Sequence, residues 1–96
     1  MPASLAIAGA GYIGLELGTA FAKLGTRVTI IEAAARILPL YDADLTKPVM
    51  KRLGALEIEV LTGAKVDELD AKTDELRVTT ADGEERRISA ERVLVT

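Results

Sequence analysis

The chain has 96 residues, 49% of them hydrophobic, with a net charge of −3 and neither cysteine nor histidine. That length suits one domain with a limited core, and the missing residue types exclude a disulfide, a thiolate metal site, a redox dithiol and the commonest general base near neutral pH. Acids and bases are interspersed without a basic stripe, no apolar run approaches the roughly 20 residues of a membrane span, and no secretory signal opens the chain, so neither nucleic acid nor membrane is an expected partner and a soluble, cytoplasmic protein is the expectation.

Ser4 to Ala8 is apolar without alternation, the pattern of a strand covered on both faces. Gly9-Ala10-Gly11-Tyr12-Ile13-Gly14 follows it. Tyr12 to Leu24 then carries Ile13, Leu17, Ala20, Phe21 and Leu24 on one stripe at helical spacing. Gly25 is the expected C-terminal cap. Thr26 to Glu32 reads as a second strand, which completes a βαβ unit. Ala33 to Tyr41 is a loop. Asp42 and Asp44 are candidate caps for a second helix running to about Ala55. Pro48 is harmless there if the helix starts near Thr46 and kinks it if the start is earlier. Ile58 to Leu61 is a third short strand.

Beyond it the pattern changes to short polar–apolar alternation at Val66 to Leu69, Glu75 to Thr80 and Glu84 to Ile88. Turn signals stand at Asp74 and at Asp82-Gly83, which predicts an antiparallel meander of three strands. Val93 to Val95 is apolar again and reads as a strand returning to the parallel sheet. The expected fold is therefore α/β. It is a Rossmann-like βαβαβ parallel sheet with strand order 3-2-1 and the last strand beside the first, plus the meander.

A glycine-rich turn between a strand and a helix suits a dinucleotide. Gly9 permits the sharp turn, Gly11 lets a pyrophosphate approach the backbone, and Gly14 lets helix and strands approach closely. Glu32 follows Gly14 by 18 positions, near where an acid would accept the adenosine ribose hydroxyls. On its own it is equally a solvated strand end. A carboxylate there disfavours a 2′-phosphate and favours NAD over NADP; Arg36 is the counter-argument. Glu16 reads either as a charge in an early helical turn, the reading that physics alone prefers, or as a polar anchor for the far end of the cofactor. Tyr12 either packs at the helix start or lies over the cofactor site. Asp67, Glu68, Asp70, Asp74 and Glu75 are expected to form the wet face of the meander, with no metal site.

The run Gly-Ala-Gly-Tyr-Ile-Gly-Leu-Glu-Leu-Gly, continued through Arg-Val-Thr-Ile-Ile-Glu, Arg-Ile-Leu-Pro and Asp-Ala-Asp-Leu, resembles the NAD-binding domain of the flavoprotein (pyridine nucleotide) disulfide reductases. Within them it is most similar to the dihydrolipoyl dehydrogenases, over essentially the whole chain. The resemblance implies that Tyr12 covers the nicotinamide pocket and that Glu16 contacts the nicotinamide end and pairs with a lysine of an FAD domain. It also implies that Glu32 binds the adenosine ribose and that the backbone of Val66 contacts adenine.

Candidate cofactor contacts are thus Gly9, Gly11, Tyr12, Ile13, Gly14, Glu16, Glu32 and Val66, with no catalytic residue. The resemblance further implies FAD in a parent enzyme, not bound by this chain, and partners in an FAD domain and an interface domain of a homodimer. The chain is expected to be a single NAD(H)-binding domain, 1–96, excised from a longer flavoenzyme, without turnover by itself and with apolar surface left uncovered. The alternatives are the same domain of a mercuric reductase, an NADH oxidase or a transhydrogenase, or a non-catalytic nucleotide-binding module. Two local departures from the family stand out: Ala35 replaces an acid, and Glu57 replaces the glycine that ends the second helix. If Glu57 is left-handed, the cost is roughly 1 kcal/mol.

Overall fold

A computed structural model describes residues 2–38 and 43–96. The order is β1 (Ser4–Ala8), α1 (Tyr12–Lys23), β2 (Arg27–Glu32), α2 (Ala43–Ala55), β3 (Glu59–Thr62), β4 (Lys65–Asp70), β5 (Glu75–Thr79), β6 (Glu85–Ser89) and β7 (Arg92–Val95). Four strands form a parallel sheet in the order β3-β2-β1-β7, and three form an antiparallel sheet in the order β4-β5-β6. The expected topology is the observed one, with strand ends shifted by at most one residue.

Apolar runs without alternation require cover on both faces, and two core clusters supply it. Leu5, Ile7, Val28 and Ile30 pack with Leu15, Leu53 and Ile58 on the helix side. Ala6 and Ile31 pack with Leu76, Val78 and Ile88 of the antiparallel sheet on the other. Ile7 stands at the centre, in register with Ile30 on one side and Leu94 on the other. An Arg86–Glu59 ion pair (3.2 Å) joins the two sheets at the surface.

The apolar stripe of α1 is not the face turned to the sheet. Ile13, Leu17, Ala20 and Leu24 are exposed, Ile13 and Leu24 each at 64%, and the buried residues are Gly14, Leu15 and Gly18. Glycines allow the shortest approach between a helix and a sheet, so the helix lies down on them beside Leu15 and leaves Ile13, Leu17 and Leu24 outward. Phe21 alone of the stripe is partly buried against the core.

Both helices end in paired bonds of the Schellman type. In α1 the Thr26 N–H donates to the Phe21 carbonyl and the Gly25 N–H to that of Ala22, with Gly25 at φ +97°. In α2 the Ile58 N–H donates to Leu53 and the Glu57 N–H to Gly54, both at 3.0 Å, with Glu57 at φ +58°. Glu57 thus takes the left-handed conformation that glycine accepts more readily. Glu57→Gly should raise stability by about 1 kcal/mol, seen as a higher urea midpoint at unchanged slope. A lower midpoint would show that the glutamate side chain outweighs the strain.

Helix α2 starts at Ala43, before Thr46, so Pro48 lies inside it. The candidate cap Asp42 falls outside the described residues, and Asp44 sits within the first turn. Turns join the antiparallel strands where the sequence signals them, with Asp74 at φ +53° and Gly83 at φ +85°. In the β5–β6 turn the Thr80 hydroxyl, then the Glu84 N–H, hold the Asp82 carboxyl below its usual range. The meander acids are engaged in its own surface: Glu68 pairs with Arg77, Glu75 with Arg87, and Asp70 accepts the Lys72 N–H. Among the described residues no group of acids gathers as a metal site, and no helix is long and apolar enough to cross a membrane.

Candidate functional site

Beyond its last residue, β1 stays in hydrogen-bond register for one more step. The Gly9 N–H donates to the Ile31 carbonyl at 2.7 Å, and the chain then turns at a φ of +120°. That conformation favours glycine, and a Cβ there would also stand 2.5 Å from the Thr96 hydroxyl and 2.9 Å from its carbonyl. Gly11 is the N-cap of α1 and offers no side-chain cap. Nothing lies within 4 Å of where its Cβ would be, so the backbone there faces open space. The first intrahelical bond is Leu15 N–H to the Gly11 carbonyl, and the N–H groups of the first turn point out of this end of the helix. At Gly14 a Cβ would fall well inside 3.0 Å of the Gly9 carbonyl oxygen, so this glycine lets the helix start directly against the turn.

These glycines border a cleft of about 760 Å³ at the C-terminal ends of β1, β2 and β7, the position at which open parallel sheets bind ligands. Strand β1 lies between β2 and β7, so the cleft opens where the strand order reverses. Gly9, Gly11, Tyr12, Ile13, Gly14 and Glu32 line it, together with Leu17, Leu38, Val95 and Thr96. Six of the candidate residues are thereby brought together. The other two lie apart from it. Glu16 faces a neighbouring groove of about 510 Å³ between α1 and α2, which it shares with Tyr12, four residues earlier on the same helix face. The side chain of Val66 is partly buried in the core against the antiparallel sheet. Its strand nevertheless begins next to the cleft's acid, because the Ala64 N–H donates to the Glu32 carbonyl at 3.1 Å.

Glu32, at the end of β2, joins the glycine turn to the loop that follows β2. Its Oε1 accepts the Ala10 N–H at 2.8 Å and its Oε2 the Ala34 N–H at 2.7 Å. Each oxygen keeps a further lone pair for a ligand hydroxyl. Arg36, the possible phosphate holder, donates to the Leu38 carbonyl of its own loop at 3.2 Å and does not line the cleft. Sequence reasoning missed Gly18, whose absent Cβ lets α1 rest on Ile7, Val28 and Ile30. Its signal was the spacing of four from Gly14, which puts both glycines on one helix face. Thr96 and Leu38 carried no such signal.

A parallel sheet with this glycine turn and cleft, backed by an antiparallel sheet, defines an α/β domain of the flavoprotein disulfide reductase type. The same fold occurs in the HOCl-induced flavoprotein disulfide reductase RclA from Escherichia coli, with a TM-score of 0.84 and 29% identity over 99% of this chain and 21% of that one. The chain belongs to the pyridine nucleotide-disulphide oxidoreductase family, whose model matches residues 1–96. It is 48% identical to the dihydrolipoyl dehydrogenase of Pseudomonas aeruginosa over 99% of its length, and 43% identical to that of Geobacillus stearothermophilus over 100%. It spans about a fifth of those relatives' lengths, 20% and 21%.

Proposed function

We propose that the chain is the NAD(H)-binding unit of a dihydrolipoyl dehydrogenase-like flavoprotein, where it holds the nicotinamide cofactor for hydride exchange with FAD. The observation that carries this reading is Glu32. Its carboxylate stands at the end of β2, on the rim of the same cleft as the glycine turn. The residues present fit the cofactor: the bare backbone at Gly11 leaves room for a pyrophosphate, the helix N-terminus favours its charge, and the cleft falls within the roughly 300–1,000 Å³ of small-molecule sites.

In this reading the N–H groups at the start of α1 bind the phosphates, and Glu32 accepts the adenosine ribose hydroxyls. The start of β4, at Val66, borders the adenine. Tyr12 and Ile13 are exposed at the mouth of the cleft and flank the nicotinamide end, with Glu16 one turn further along. The nicotinamide and flavin rings supply the redox chemistry; the chain's residues bind and orient. The outward stripe of α1 and Val95, which is 82% exposed, suit cover by an FAD domain, within a cytoplasmic homodimer that an interface domain completes.

The test is calorimetric titration of the chain with NADH and NADPH. A 2′-phosphate would meet the Glu32 carboxylate, so NADH should bind about tenfold more tightly or better. Equal affinity, or tighter NADPH binding, would defeat the reading.

A further inference from the structure

Glu32 is tied on three sides by the chain's own backbone. Its two carboxylate oxygens hold the Ala10 and Ala34 N–H groups, and its carbonyl accepts the Ala64 N–H. Ala10 is the middle residue of the glycine turn and is wholly buried. Its carbonyl in turn accepts the Leu38 N–H at 2.8 Å. Two consecutive peptide planes of the turn are therefore fixed from outside, one by the carboxylate and one by the loop that follows β2. Ala34 is fixed in the same way, since its carbonyl accepts the Gly63 N–H at 2.7 Å. A buried N–H requires an acceptor, and a charged acceptor makes the stronger bond.

The geometry points to Glu32 as the positioning residue of the glycine turn: its carboxylate clamps the Ala10 and Ala34 N–H groups, so that the turn and the loop after β2, which brings Leu38 to the cleft, are held as one rigid unit. This role is separate from holding a ribose, and the two are compatible because each oxygen has a second lone pair. It makes the acid matter to phosphate binding, which it does not touch. For the ligand-bound state the inference rests on the dinucleotide reading of the cleft; for the free chain it does not.

Amide hydrogen exchange of the free chain, read by NMR, tests the clamp directly. In Glu32→Ala the Ala10 and Ala34 amides should exchange at least about tenfold faster relative to Ile30, whose amide in the central strand reports global opening. Unchanged protection relative to Ile30 overturns the inference. If that variant does not fold, Glu32→Gln keeps one acceptor oxygen and turns an NH₂ toward the other amide. One of the two amides should then speed up; if neither does, the inference is overturned.

The ligand half is read by titrating intact chain and Glu32→Ala with ADP and with 2′,3′-dideoxy-ADP, which lacks the hydroxyls. The clamp predicts weakening of both, by about threefold or more. Weakening of ADP alone means that Glu32 acts only on hydroxyls and overturns the positioning role in binding. If the intact chain binds neither ligand, the dinucleotide reading falls, and the exchange result still decides the clamp.

Discussion

Gly14→Ala should cost about 2–3 kcal/mol of stability and weaken NADH binding roughly tenfold or more. The helix interior would ordinarily reward this change, because alanine is favoured over glycine there by about 1 kcal/mol. Here the new methyl has nowhere to go. Its position falls inside 3.0 Å of the Gly9 carbonyl oxygen and 3.1 Å from the Thr96 hydroxyl. The carbonyl belongs to backbone that is itself fixed, since the Gly9 N–H is bonded to Ile31 and the Ala10 N–H to Glu32. No side chain can rotate aside to make room. The start of α1 must therefore lift from the end of β1, which opens the cleft at the point where the first-turn N–H groups face it. A small domain is stable by about 5–15 kcal/mol, so such a loss is a large share of the total. Urea unfolding measures the first effect and calorimetry the second. A midpoint equal to that of the unchanged chain would show that the contact relaxes without cost and would remove the steric account of this glycine.

The βαβ unit and the meander were legible because each rests on a local signal. The glycine turn sits between an apolar run and a helical period, and Asp74 and Asp82-Gly83 sit where the antiparallel strands reverse. Strand order followed from the crossovers, which place β2 and β3 successively to one side of β1. The orientation of α1 was legible only at Gly14, the one residue expected to bring helix and strands together. Periodicity marks Ile13, Leu17, Ala20 and Leu24 as a face, but it does not say what covers that face, and the sheet took the glycines instead. The bonds of Glu32 to Ala10 and Ala34 were hidden for a related reason. They depend on how the loop after β2 folds back over the turn, with Leu38 in a left-handed conformation at φ +47° that no motif announces. The placing of Glu16 was within reach: two residues past Gly14 along a helix is about 200° around it, away from the glycine face.

Gly18 is the position where α1 rests on the core isoleucines, and Gly18→Leu should cost about 3 kcal/mol or more, enough to leave a large unfolded fraction if the domain is of ordinary stability. A Cβ at this site would stand 3.2 Å from Ile30 Cδ1 and 3.3 Å from Ile7 Cδ1, both on fully buried side chains at the centre of the sheet. A single methyl asks those ends to give by a few tenths of an ångström. A leucine asks the helix to move away from both core isoleucines. The contact with flexible chain ends also makes this site differ from Gly14, and a double-mutant cycle separates the two cases. Ile30→Val removes the Cδ1 that the new methyl meets. Gly18→Ala combined with Ile30→Val should therefore be more stable than the sum of the single losses predicts, with a coupling of about 0.5–1 kcal/mol. Gly14→Ala combined with Ile30→Val should be additive, because the obstacle at Gly14 is a carbonyl. Strict additivity at Gly18 would mean that α1 does not rest on Ile30 as closely as the Cβ distances require.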